Sequence, residues 1–375
     1  MPRHVVLITL DHIAASQIGA YGQYRARTPA LDQLAARAAV FHQCFCHAVP
    51  GRGQIPADDW AAHPRVAEAF NVLRAAGIAV DHLRQSPDEM PRHWVLESVT
   101  AIRQQLTSLQ PGLTWIQGVG ISDPWVPDHT GWEAEVARLL GTPWEELLAD
   151  ESEEMTPALA VEELVHEGAF SRTRQPDAPD PVVERLSLAL YAASVEKLDD
   201  RLGRLIREFQ RHAHAECLLI IAGLQGDHLP HQMPIERPVQ LHTELVRVPL
   251  IVQVGAGHAG GSTVLELVQT PDIARTICEW LSESLGTSPD AGLADLLAVM
   301  QKAHPGRASV QVTSQVGETL IRTSDAQLVR ASSDQSTHDT EQVEWLTLKP
   351  EDAWDLLNVA GQHPDLVDQL RALAD

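Results

Sequence analysis

Cations are scarce in this chain: 28 Lys and Arg stand against 51 Asp and Glu across 375 residues, for a formal net charge of -23. That shortage excludes a nucleic-acid binder, because affinity there rests on neutralising phosphates with Lys and Arg. The simplest reading of such a balance is an acidic, well-solvated surface. Long apolar runs are missing as well. No stretch of about eighteen apolar residues exists, so no membrane span is expected. Cysteine is rare, and Cys44, Cys46, Cys217 and Cys278 show no zinc-like spacing. Cys44 and Cys46 are too close for an unstrained disulfide within a strand. No basic leader with an apolar core precedes the first apolar run at His4, so no secretory signal is expected, and a reducing cytoplasm is the expected location.

What is present is enough chain for one large α/β domain over 1–304 and a small C-terminal appendage over 305–375. The run His4-Val5-Val6-Leu7-Ile8-Thr9-Leu10-Asp11-His12 is apolar and ends in an acid. That pattern predicts a buried parallel strand delivering a carboxylate to the carboxyl edge of a sheet, where open α/β folds place their sites. Amphipathic spacing predicts helices over 29–40, 66–76, 94–109 and 186–209, the second closed by Gly77. Strand-like runs lie at 40–49, 78–80, 113–119, 217–222 and 247–252. Strands alternating with helices imply βαβ units and a mostly parallel or mixed central sheet sandwiched by helices. Residues 126–181 are acidic and proline-punctuated and are expected to form a helical surface insertion, since runs such as Asp150-Glu151-Ser152-Glu153-Glu154 are usually solvated faces. After residue 305, short β-prone runs at 309–313, 319–323, 328–331 and 343–348 precede a last helix.

Several segments carry a more specific signal. The strand ending in Asp11 is followed by Gly19-Ala20-Tyr21-Gly22 and then by Thr28-Pro29-Ala30-Leu31-Asp32-Gln33-Leu34-Ala35. In order and spacing these resemble the opening of the sulfatase family, within the alkaline-phosphatase-like superfamily. The helix carrying Tyr191 to Gly203 is similar to the family's long helix before its second site-bearing strand, and Lys349 to Ala360 is similar to its closing segment. The resemblance covers essentially the whole chain. It implies an alkaline-phosphatase-like α/β fold, with a small antiparallel C-terminal sheet and helix, and an ancestry in sulfuric ester hydrolysis.

The family's catalytic positions fail one after another. Sulfate-ester cleavage needs a nucleophile, cations to offset the sulfate charge and a proton donor for the leaving oxygen. The family makes its nucleophile by oxidising the cysteine of a Cys-x-Pro-x-Arg motif to formylglycine. Here the match is Ala48-Val49-Pro50-Gly51-Arg52, so Ala48 holds the nucleophile position and Arg52 survives. A shifted motif using Cys46 would place Pro50 where maturation wants arginine, and the simpler reading of Cys46 is a buried thiol behaving as a small hydrophobe. Arg52 can equally be a helix-entry arginine capping a buried network. In the metal site Asp11 remains, but its neighbour, commonly a second acid, is His12. The other ligand pair falls on Leu224 and Gln225. Sliding the alignment would use Asp227 and His228 instead, at the loss of the matching Gly226 and Leu229.

The resemblance also implies a substrate pocket at Ser122 and Trp125, with Ser122 where the family has a histidine, and at Arg237 or His242, the nearest cations to an absent lysine. No cofactor is expected. Calcium or magnesium would bind if the family site survives, and zinc if His12, His228, His231 and His242 form a cluster. With 18 histidines in the chain, chance proximity explains that grouping as simply. The resulting expectation is a catalytically inactive sulfatase-family protein, or pseudo-sulfatase, that binds a small anionic ligand or a protein partner such as an active paralogue. The alternative is a sulfuric or phosphoric ester hydrolase with a rebuilt nucleophile and metal site.

Overall fold

The computed structural model describes residues 1–23, 25–50, 55–86, 91–121, 125–127, 130–147, 156–166, 181–227, 229, 239–257, 261–282, 293–331 and 343–374. Among these, the central sheet has seven strands, in the order Ala79–Arg84, Gly112–Gly120, His4–His12, Cys217–Gly223, Leu250–Val254, Ala39–Phe41 and Ser262–Val264. The first four are mutually parallel. Leu250–Val254 then runs antiparallel to both of its neighbours, and Ser262–Val264 lies parallel to Ala39–Phe41, so the sheet is mixed.

Both faces of the sheet are covered, which is why its central strands are apolar on both sides. Val5 and Leu7 pack on one face with Trp115, Leu218 and Ile220, while Val6, Ile8 and Leu10 pack on the other with Ile116, Leu219 and Ile221. The second face is closed by Pro181–His212, a helix of 32 residues. Midway along it the buried Asp199 accepts the amides of Ala30 and Leu31, both at 2.9 Å, in the first turn of Pro29–Ala35. Those amides have no partner within their own helix, so a remote carboxylate substitutes for a local cap.

A second sheet of five strands runs Val343–Leu348, Ala326–Ala331, Glu318–Arg322, Val310–Ser314 and Ala48–Val49. Its first four strands are antiparallel, and the helix Pro364–Arg371 packs Val367 and Leu370 against Ile321, Leu328 and Leu346. Of the acidic segment 126–181, the described residues include the helices Trp132–Leu140, Trp144–Leu147 and Pro157–His166. Trp132, Trp144 and Val161 bury themselves against Leu186 and Leu190 of the long helix.

Two expectations differ from the structure in detail. The run 40–49, read as one strand entering a loop, is divided among three sheets: Ala39–Phe41 joins the central sheet, Cys44–Phe45 pairs with Val268–Gln269, and Ala48–Val49 edges the five-stranded sheet. Strands of two or three residues have too short a period to be separated by pattern alone. The strand expected from Arg247 starts at Leu250, because Thr243–Val246 is a helical turn and Pro249 has no amide to donate. Among the described residues, no helix is long and apolar enough to cross a membrane.

Candidate functional site

The site is assembled where His4–His12 and Cys217–Gly223 end side by side. Leu10 is in register with Gly223, the Leu224 amide donates to the Leu10 carbonyl at 2.9 Å, and the Ile13 amide donates to the Gln225 carbonyl at 2.9 Å. Leu224 and Gln225 therefore follow their strand beside the segment that carries Asp11. The close passage continues at Gly226, where an added Cβ would lie 1.9 Å from the Glu244 carbonyl oxygen.

Asp11 is almost wholly buried, and both its carboxyl oxygens are engaged. Gln117 Nε2 donates to them at 3.1 and 3.3 Å, and the Ala57 amide donates to Oδ1 at 3.2 Å. Ala57 belongs to the first turn of Pro56–Ala62, so Asp11 satisfies one of the orphan amides of that helix. Gln117 is held in turn by His82, whose Nε2 is 3.2 Å from Gln117 Oε1 and whose ring stacks on Trp115 at 3.9 Å. Burial disfavours the charged form and raises the Asp11 carboxyl to about 6, against the opposing effect of these hydrogen bonds.

A hard divalent cation takes several oxygen ligands, usually with more than one carboxylate. Leu224 offers none and is buried with the apolar core of the face that holds Leu7. Gln225 contributes an amide oxygen, Oε1, which is buried without a hydrogen-bond partner among the described residues. One carboxylate already committed to two donors and one amide do not fit calcium or magnesium. Among the described residues, no group of three or more His, Cys, Asp or Glu side chains is placed to hold a metal ion.

Ala48 lies half-buried in its short strand beside Thr313. The thiol of Cys46 is fully buried and pushed far above the usual thiol range by that burial, while its backbone amide donates to Val246 O at 2.8 Å. A thiolate nucleophile does not form in such surroundings. Because Pro50 stands where the maturation motif wants arginine, mass spectrometry of protein from a formylglycine-competent host is expected to find Cys44 and Cys46 unmodified. Stoichiometric aldehyde at Cys46 would restore the shifted-motif reading.

Arg52, Ser122, His228, His231 and Arg237 lie outside the described residues. Trp125 is buried, with its ring edge-to-face on Tyr191 at 5.4 Å. Asp227, the acid of the slid alignment, is fully buried and accepts the Tyr191 hydroxyl at 2.5 Å. His242 is buried, and its carbonyl accepts the Leu245 and Val246 amides in the turn that follows. His12 stands in register with Gly120 across the sheet.

Sequence reasoning missed the groups that accompany Asp11 and Ala48. Gln117 was visible as the lone amide in an apolar strand run, but nothing in that pattern names its partner. His47, next to Ala48, places Nε2 2.9 Å from Asp59 Oδ2 and packs against His63 with ring centroids 5.1 Å apart. Burial lowers His47 from its ordinary value and so disfavours the imidazolium, against the opposing effect of the Asp59 carboxylate. The arrangement can hold or release one proton at Asp11 near neutral pH. It presents no nucleophile at position 48.

No protein-family model matches this sequence, and a search of curated proteins finds no match. Solved structures do match. The phosphonate monoester hydrolase of Agrobacterium radiobacter is 15% identical, with 99% of this chain and 96% of that chain covered and a TM-score of 0.62. A 2-O GAG sulfatase is 11% identical, covering 100% of this chain and 91% of its own, with a TM-score of 0.63. A protein solved with its substrate, D-glucosamine-2-N,6-O-disulfate, is 15% identical over 99% of this chain and 96% of its own, with a TM-score of 0.64. At these identities the likeness establishes the fold alone, and that fold is the mixed α/β architecture seen in sulfatases and in a phosphonate monoester hydrolase.

Proposed function

We propose that this protein is a non-hydrolytic form of the sulfatase-like fold, a pseudo-sulfatase whose cleft at Asp11 serves binding of a small anionic ligand or of a protein partner such as an active paralogue. The observation that carries this reading is Leu224, an aliphatic residue buried in the segment whose backbone pairs with the end of the Asp11 strand, at the position where the resemblance implies a second acidic metal ligand. Ala48 at the nucleophile position supports it, since a methyl group cannot attack sulfur or phosphorus. Removing one member of an interdependent catalytic set usually abolishes most of the rate, and here several are replaced together. Four free cysteines, all buried, support a location in the reducing cytoplasm.

The test combines turnover with metal response. Purified protein supplied with calcium or magnesium is expected to hydrolyse neither 4-nitrophenyl sulfate nor 4-nitrophenyl phosphate above the buffer rate. Millimolar calcium should leave the melting temperature unchanged, because a ligand stabilises the fold only when present well above its dissociation constant. Metal-dependent hydrolysis, or a clear calcium- or magnesium-dependent rise in melting temperature, would sink the proposal. A rise with zinc alone that is lost on replacing His12 or His228 would instead establish the rebuilt-site hydrolase as the reading to pursue.

A further inference from the structure

Away from Asp11, the structure contains a cavity of about 510 Å³ between the loop after the first strand, the turn at Thr243–Val246 and the five-stranded sheet. None of Asp11, His12, Ala48, Leu224 and Gln225 lines it. We propose that this cavity is a binding site for a small organic phosphate or sulfate ester, whose anionic group is held by Arg322 and Arg247.

The first support is charge. In a chain with a net charge of -23, Arg25, Arg247, Arg322 and Lys349 all line this one cavity, and Glu244 is the single acid among the described lining residues. Two of these groups are already satisfied. Lys349 Nζ donates to Asp355 Oδ1 and to the Asp352 carbonyl, and the Glu244 carboxylate accepts the Ser16 hydroxyl.

Arg322 and Arg247 each keep donors without a partner among the described residues. Arg322 is only 4% exposed, yet its Nε and Nη1 have no hydrogen-bond partner among the described residues, and neither does Arg247 Nε. Arg247 Nη2 reaches no nearer than 4.0 Å to Glu244. Buried donors left unpaired cost more than a typical hydrogen bond contributes, so native structures rarely keep them without a reason. An oxyanion supplies the missing acceptors, and the planar guanidinium fork matches the geometry of phosphate or sulfate oxygens. Burial lowers Arg322 to about 10, which still leaves it cationic at neutral pH.

The second support is the shape and lining of the cavity. Its volume falls within the range of about 300–1,000 Å³ typical of small-molecule sites. Phe45, over whose ring the Arg322 guanidinium lies at 5.9 Å, forms an apolar wall, and the half-exposed Trp354 stands at the rim. Such walls accommodate the organic body of an ester, which inorganic phosphate lacks.

Isothermal titration in low-salt buffer with inorganic sulfate, inorganic phosphate and phenyl phosphate tests this directly. The wild-type chain is expected to bind phenyl phosphate saturably, one per chain, and more tightly than either inorganic ion. Comparing the sulfate and phosphate arms identifies the preferred oxyanion. Arg322→Met should weaken phenyl phosphate by about tenfold or more, as expected when charge-assisted hydrogen bonds are lost. If that variant does not fold, Arg25→Ala and Trp354→Ala take its place. The first should weaken all three probes, and the second should narrow the gap between phenyl and inorganic phosphate. Absence of saturable binding to the wild-type chain overturns the proposal, as does binding that these substitutions leave unchanged. Because Arg322, Arg25 and Trp354 line this cavity and Asp11, Ala48, Leu224 and Gln225 do not, the substitutions assign the binding to this cavity and separate it from any binding or turnover at the Asp11 site.

Discussion

Replacing Asp272 with alanine is expected to destabilise the fold by about 3–5 kcal/mol, the loss typical of leaving a buried charge uncompensated. Asp272 opens the helix Asp272–Ser282 and is fully buried. Its carboxylate accepts the Gln269 and Ala294 amides, both at 2.8 Å, together with Arg307 Nε at 2.8 Å and Arg307 Nη2. Arg307 is also anchored through its backbone, its amide donating to the Leu267 carbonyl at 2.8 Å. One side chain thus fastens a helix start to two returning segments of chain. Alanine removes every acceptor at once and strands a guanidinium whose side chain is only 20% exposed. Asp272→Asn keeps an oxygen acceptor and should lose markedly less. Urea denaturation reads both variants. A loss for alanine within the range of about 0–1 kcal/mol usual for surface pairs would show that the network carries little stability.

Asp11→Asn is expected to act in the opposite direction, stabilising the protein by about 1–3 kcal/mol near pH 7.5. That range follows from about 1.36 kcal/mol for each pH unit by which folding raises the carboxyl, reduced for screening. The Asp11 carboxyl is raised from 3.8 to about 6, so the folded state binds its proton more tightly than the unfolded chain. Stability therefore falls as pH rises from about 4 through about 6, and the deficit is complete above that window. Asparagine keeps an acceptor for the Ala57 amide without the buried charge. The gain should vanish below about pH 4, where the native carboxyl is protonated in both states. Melting curves of the two proteins across that range check the sign. A loss of stability near neutral pH would show that the carboxylate is compensated by more than its burial costs, through the Gln117 amide that donates to both its oxygens or through a bound cation. Sites kept for function commonly tolerate such a local cost, so the stabilised variant is also the one in which ligand binding should be measured.

Much of the architecture was legible in the chain because it rests on local pattern. An apolar run ending in an acid defined His4–His12 and put Asp11 at the sheet edge, and the ungapped comparison brought Leu224 and Gln225 to its side. The observed register sets Leu10 opposite Gly223, so the two strands end side by side. The alternation of buried strands and amphipathic helices was equally local, since burial on both faces demands it. The short β-prone runs after residue 305 emerge as strands of the second sheet.

What pattern could not supply is the pairing of polar groups. Gln117 meets Asp11 across 106 positions of sequence, Asp227 meets Tyr191 across 36, and Arg322 reaches Phe45 from another sheet. Nor could the sequence divide 39–49 among three sheets, because its short strands take their identity from their neighbours. Hydrophobic periodicity is set by each element's own geometry and so survives in a single sequence. The partners of buried polar atoms are chosen by which elements cross, which only the tertiary structure decides.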